Sequence, residues 1–145
     1  MPETLTAQVR ALFDAPNYCF LSTLRKDGSP HLVAAWVSAD GDEILLNSAE
    51  HRAWPRNLRR DPRIALLVQN ADNPYEFAQV RGECVEMTRS GADAHIDFLA
   101  KKYMGVDEYP LREEGEQRVI ARIRPDRIFH FKGPADLPPV PPPSR

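Results

Sequence analysis

The sequence predicts a mostly β protein, a small antiparallel barrel with a few short helices. Three observations predict it. Some seven segments have strand character and are separated by turns rather than by long helices. No strand–helix–strand alternation is present, which excludes a parallel sheet with covering helices. The segment from Tyr75 to Met87 changes its apolar parity midway, beside a glycine, as a strand does when it bulges or bends from one sheet region to another.

The elements follow in order. Leu5, Val9 and Leu12 recur at helical spacing over Thr4 to Phe13, with Thr4 or Thr6 as cap, and Ala15-Pro16-Asn17 ends that helix. Tyr18 to Leu24 and Pro30 to Val37 read as strands joined by an Asp27-Gly28 turn, since glycine accepts the positive φ such a turn needs. A second turn, Ala39 to Asp42, leads into Glu43 to Asn47 and completes a three-strand meander. Ser48 to Asp61 is too polar for a strand. It reads as a short helix that starts near Ser48 to Arg52 and stops before Pro62, because the residue preceding a proline avoids the α region.

Arg63 to Val68 and Tyr75 to Met87 are the next strands. Ser90-Gly-Ala-Asp93 resembles a capping box ahead of an apolar stripe of Ile96, Leu99, Ala100 and Tyr103, with Gly105 as its stop. Asp97 and Lys101 are spaced for an i,i+4 pair on its solvated face. Val119, Ala121 and Ile123 alternate with Arg118, Arg122 and Arg124, and Pro125-Asp126 turns the chain into a last strand, Ile128 to Phe131. Residues 1–133 therefore form one domain. Six of the 14 prolines fall in 134–145, an extended tail rather than core.

Composition bounds the function. Of 145 residues, 42% are hydrophobic and 28% charged, a globular balance. No uncharged stretch approaches the ~20 residues that cross a bilayer. Met1-Pro2-Glu3 lacks the basic start of a secretion signal, so a cytoplasmic protein without membrane association is expected. Cys19 and Cys84 lie far apart, and free thiols are the simplest reading, with one disulfide as the alternative. A net charge of -2 argues against nucleic acid as partner. Nucleotide-binding glycine loops, a Walker loop and hydrolase signatures are missing, and His31, His51, His95 and His130 show no ligand spacing, so no metal is expected.

One segment stands out. From His51 to Arg63, five arginines stand against a single carboxylate, Asp61. Two readings stay open: a solvated helix face whose arginines pair elsewhere, or an anion site. The guanidinium fork suits phosphate, and Arg52 and Arg56, four apart, share a face, so those two are the candidate phosphate ligands. Arg59, Arg60 and Arg63 approach the far end and read as structural.

The run Phe20-Leu-Ser-Thr-Leu-Arg-Lys-Asp-Gly-Ser-Pro-His, then Ile44-Leu-Leu-Asn-Ser, Arg56-Asn-Leu-Arg-Arg-Asp-Pro-Arg-Ile-Ala-Leu-Leu-Val and Val80-Arg-Gly, resembles the pyridoxamine-phosphate-oxidase-like split β-barrel superfamily, an antiparallel fold like that of FMN-binding proteins. Within it the chain is most similar to the deazaflavin (coenzyme F-420) dependent oxidoreductases. Asn73-Pro-Tyr-Glu-Phe, Ala94 to Tyr103 and Gly115-Glu-Gln-Arg-Val fit as well, and the likeness spans about Phe13 to Phe131.

The resemblance implies a homodimer with two cofactor sites at the subunit interface and a small organic molecule as substrate. The cofactor ring is expected along Val33, Ala34, Ala35 and Trp36, and its phosphate at Asn47, Ser48, Arg52 and Arg56. Tyr75 and Phe77 are expected to wall the pocket of the other subunit. Where many relatives carry a phosphate-binding lysine this chain has Trp54, so the phosphate would rest on the two arginines. F-420 is the implied cofactor, with FMN the alternative, and hydride transfer to an unsaturated carbon the implied reaction. A cofactor-binding protein without turnover is the third reading. Hydride transfer needs positioning more than an acid/base pair, and no catalytic side chain is singled out.

Overall fold

The computed structural model describes residues 2–133 and residue 141; the tail expected over 134–145 otherwise lies outside the described residues. Helix α1 (Ala7–Asp14) starts where Thr6 Oγ1 accepts the Val9 N–H at 3.2 Å, and it buries Val9, Leu12 and Phe13. Strands β1 (Cys19–Leu24) and β2 (Pro30–Ala35) form the expected hairpin. Gly28 has φ 85°, and Asp27 accepts from both the N–H and the hydroxyl of Ser29. The chain continues as β3 (Val37–Asp40), β4 (Glu43–Ala49), α2 (Ala53–Arg60), β5 (Arg63–Gln69), β6 (Phe77–Thr88), α3 (Ala92–Met104) and β7 (Arg118–Phe131).

The seven strands form one sheet in the order β2-β1-β5-β6-β7-β4-β3, with each neighbouring pair antiparallel. Its two edge strands, β2 and β3, are separated in sequence by Trp36 alone. Two peptide units span at most about 7 Å, so the two edges meet at that point and the sheet curls into a barrel split between them. Leu21, Leu46, Leu66, Val80 and Ile123 fill the interior, capped by Phe13 and Val9 of α1. No helix among the described residues is long and apolar enough to cross a membrane.

Five local expectations are corrected. Pro30 to Val37 is not one strand of a meander: it breaks at Trp36, and its two parts lie on opposite edges. The turn expected at Pro125-Asp126 is a strand irregularity inside a continuous β7, where Arg127 pairs with Arg81 and Pro125 with Gly82. Proline is tolerated there because the ladder is already interrupted, and only glycine fits opposite, since a Cβ on Gly82 would overlap the Arg124 carbonyl oxygen. Helix α2 begins at Ala53 rather than near Ser48, because Ser48 and Ala49 stay in the ladder opposite Val119 and Arg118. Ser90 does not cap α3: Gly91 holds the N-cap position at φ 78° with no side-chain cap. Asp97 accepts from Arg112 Nη2 at 2.7 Å and from the Tyr109 N–H at 2.8 Å instead of pairing with Lys101. The phase slip in β6 is present as a register shift at Val85. Cys19 and Cys84 are both free thiols.

Candidate functional site

At the split, the end of β2, the end of β4 and the approach to α2 enclose a cavity of about 210 Å³. Ala34, Ala35 and Trp36 form one wall, Asn47, Ser48 and Arg52 a second, and Trp54, Tyr18, Tyr109, Ile96, Leu111 and Arg118 the remainder. The aromatic side is rigid because its rings brace one another. Trp36 stacks on Tyr103 with centroids 5.2 Å apart and meets Tyr109 edge-on at 5.8 Å. Tyr103 is itself pinned, since its hydroxyl donates to the Asn17 carbonyl at 2.7 Å and accepts the Val37 N–H at 3.1 Å. Burial of that hydroxyl raises its pKa.

Six of the ten expected cofactor residues, Ala34, Ala35, Trp36, Asn47, Ser48 and Arg52, therefore line one cavity. The other four do not. Val33 points inward and packs on the core. Arg56 is exposed on α2, and Tyr75 and Phe77 lie on and beside β6, where Phe77 packs between Phe129 and Phe131. Trp54 is 6% exposed and belongs to the core as well as to the cavity wall, which it lines with apolar surface. Both N–H donors of Asn47 are engaged: Nδ2 donates to the Ala92 carbonyl at 2.9 Å and to His95 Nδ1 at 3.0 Å, and Oδ1 accepts from Arg118 Nε at 2.9 Å. Ser48 and Arg52, by contrast, make no side-chain hydrogen bond among the described residues.

The remaining arginines of the basic segment are engaged as structural groups. Arg59 pairs with Glu50, whose carboxyl is held below its ordinary pKa by that hydrogen bond. Arg60 donates to the Leu24 carbonyl and to Asn57 Oδ1, each at 2.9 Å. Arg63 pairs with Asp61 at 2.7 Å.

Arg118, Tyr18, Tyr109 and Leu111 escaped the sequence reading. A signal for Arg118 does exist. Ile120 occupies the same strand face as Arg118 and Arg122, and an apolar residue among arginines marks that end of β7 as covered on both faces. Helix α3 covers it, packing Ala92 against Ile120 and Leu45.

Among the described residues no Asp, Glu, His, Cys or Lys lines the cavity, so those residues offer hydrogen-bond donors and aromatic walls. A flat ring with an anionic tether would fit that donor set: the rings and small Ala34 and Ala35 could receive the plane, and the unpaired guanidinium of Arg52 the charge. A second hollow of about 410 Å³ on the outer sheet face, beside Arg63, Arg81 and Arg127, has no aromatic wall.

Comparison with solved structures supports the same architecture. An F-420 reductase superposes with a TM-score of 0.73 at 28% identity, over 89% of this chain and 98% of that one. A conserved hypothetical protein from Mycobacterium tuberculosis gives 0.67 at 22% identity, covering 90% and 86%. General stress protein 26 from Bacillus anthracis gives 0.61 at 17%, covering 83% and 88%. The last two show the fold alone. A family model described as pyridoxamine 5'-phosphate oxidase matches residues 5–132. With that match over nearly the whole described barrel, the chain belongs to the pyridoxamine 5'-phosphate oxidase family and has its split β-barrel fold.

Proposed function

We propose that the protein is an oxidoreductase that binds coenzyme F-420, a deazaflavin, at the interface of a homodimer and reduces an unsaturated small organic molecule. Membership in a flavin-type oxidoreductase family supports the general class, and the similarity to an F-420 reductase supports the choice of cofactor. The observation that carries the reading is the aromatic-walled cavity with the unpaired guanidinium of Arg52 in its wall.

When bound, the reduced deazaflavin supplies the hydride. The chain's own residues bind, orient and exclude water. Strand β2 is an edge strand paired on one side only, so alternate backbone N–H groups between Val33 and Ala35 face the open edge and can hold the polar rim of a ring. Trp36, Trp54 and Tyr109 keep water from its faces. Ser48 Oγ and Arg52 donate to the phosphate, and Arg56, exposed one turn into α2, meets the anionic tail farther out.

Titration of the protein with F-420 and with FMN, followed by fluorescence, tests the choice: submicromolar F-420 binding is expected, and submicromolar binding of FMN alone would remove the deazaflavin reading. Tight F-420 binding with no turnover across a broad panel of unsaturated substrates would make it a carrier instead. Arg52→Ala is expected to weaken F-420 binding by about 1.5–3 kcal/mol, the worth of a charged hydrogen bond. An unchanged affinity in that titration would show that the phosphate lies elsewhere.

A further inference from the structure

The cavity holds a cationic side chain that is buried rather than exposed. Arg118 opens β7 and is only 6% exposed, yet it lines the cavity. A guanidinium carries five N–H donors and is costly to bury unless they are met. Nε donates to Asn47 Oδ1 at 2.9 Å, and Nη1 donates to Glu116 Oε1 at 3.2 Å. The Tyr109 ring lies 5.2 Å from Cζ. Nη2 donates to nothing among the described residues. Unlike Glu116 Oε2, it is not one of the polar atoms sealed from solvent without a partner.

The side chain is fixed from behind. Asn47 Nδ2 faces two acceptors, the Ala92 carbonyl and His95 Nδ1, so its Oδ1 must face Arg118; turning the amide over would set donor against donor. Acceptance at His95 Nδ1 places the ring proton on Nε2, which donates to Ser38 Oγ at 2.9 Å. Ser38, His95, Asn47, Arg118 and Glu116 thus form one chain of hydrogen bonds linking β3, α3, β4 and β7. An ion pair built only for stability would not leave the buried Glu116 Oε2 without a partner, nor hold an uncommitted Nη2 at a cavity.

We propose that Arg118 is a ligand-directed donor, whose Nη2 binds a carbonyl or enolate oxygen on the edge of the planar ring, while Arg52 takes the anionic tether. This rests on the cofactor reading above. The division follows from charge. Glu116 neutralises Arg118 locally, leaving a fixed N–H donor at the cavity suited to a neutral or weakly charged ring oxygen. Arg52 is exposed and unpaired, and its full charge suits a phosphate.

The test uses the full chain and separates ring from tether by probing with 5-deazalumiflavin, which has the ring and no phosphate, and with inorganic phosphate as competitor of F-420. Arg118→Met is combined with Glu116→Gln so that no lone charge is buried, and Arg118→Lys keeps the charge without the fork. Either folded variant is expected to bind 5-deazalumiflavin roughly tenfold or more weakly, with phosphate competition unchanged. Arg52→Ala is expected to show the reverse. Equal ring affinity in a folded Arg118 variant, or an equal loss for ring and phosphate, would overturn the assignment. Should neither variant fold, the guanidinium ¹⁵N resonances of Arg118 in the native chain must shift on adding 5-deazalumiflavin, and an absence of shift overturns it equally. A native chain that binds neither F-420, FMN nor the bare ring overturns the cofactor reading and this assignment with it. Normal binding with an indifferent Arg118 overturns the assignment alone.

Discussion

His95 is uncharged at neutral pH because burial removes the water its charged form needs, and Lys102, Arg122 and Arg118 add repulsion; together they push its pKa down to about 4. The unfolded chain binds this proton near pH 6.5, so between about pH 6.5 and 4 it takes up a proton that the folded chain refuses. Stability from this residue is therefore complete above pH 6.5 and is lost as pH falls toward 4. The total is about 3 kcal/mol, from the difference between the two pKa values. Urea unfolding at pH 7 and pH 4 should show native protein losing that much more stability than His95→Gln, whose side chain does not titrate. Equal losses would mean that His95 is already charged in the fold. Lys102 is shifted in the same direction by the same cause: burial lowers its ammonium to about 8, although it donates to the Phe13 and Val37 carbonyls. At this scale the structure holds Arg59, Arg60 and Arg63 by protein partners and leaves Arg52 free beside a cavity, while Arg56, read with Arg52 as a phosphate ligand, lies exposed outside it. Arg118 was harder to read, because it alternates with apolar residues in the same way as Arg122 and Arg124, which pair near the surface with Asp40, Glu43, Glu83 and Asp126, and only the apolar Ile120 on its own face sets its end of β7 apart.

At the level of elements, the position that decides the topology is Trp36. Local pattern reads straight through it, since Leu32, Val33 and Val37 flank it with no turn residue, and the hairpin at Gly28 and the parity slip in β6 were visible for the contrary reason that a glycine or a parity change marks each. What breaks the strand lies more than sixty residues away. Tyr103 stacks on Trp36 and accepts the Val37 N–H, while Lys102 donates to the Val37 carbonyl, so two consecutive residues of α3 satisfy the backbone where the chain leaves one sheet edge for the other. Contacts of that separation leave no trace in the local sequence. Tyr103→Phe keeps the stacked ring and removes only the hydroxyl, leaving the buried Val37 N–H and the Asn17 carbonyl short of a partner. Its expected cost is about 1–3 kcal/mol, the price of unsatisfied buried groups. Chemical denaturation measures it, and a loss under about 0.5 kcal/mol, within the range of ordinary surface substitutions, would show that water replaces the hydroxyl.

For the whole molecule, the outer face of β2, β1, β5, β6 and β7 raises the question of a second copy. In register across these strands lie Ala34, Phe20, Leu67, Gln79 and Phe129, with Leu32 one step along β2. Leu32 is 70% exposed, Phe129 55% and Phe20 39%. A row of large apolar side chains on one sheet face is the surface a partner covers. The row is also continuous with the cavity, because Ala34 belongs to both and Tyr18 stands next to Phe20 on β1's entry. A partner seated there would close the cavity on the side its own chain leaves open, which is where Tyr75 and Phe77 of that partner are proposed to act. Phe20→Glu tests the idea with little risk to the fold, since Phe20 faces outward and does not line the cavity. Sedimentation should find native protein dimeric and the variant monomeric with its circular dichroism unchanged. F-420 affinity should fall in the variant even though every cavity residue of its own chain is intact. A native chain that sediments as a monomer while still binding F-420 tightly would refute the shared site, because a single barrel would then suffice.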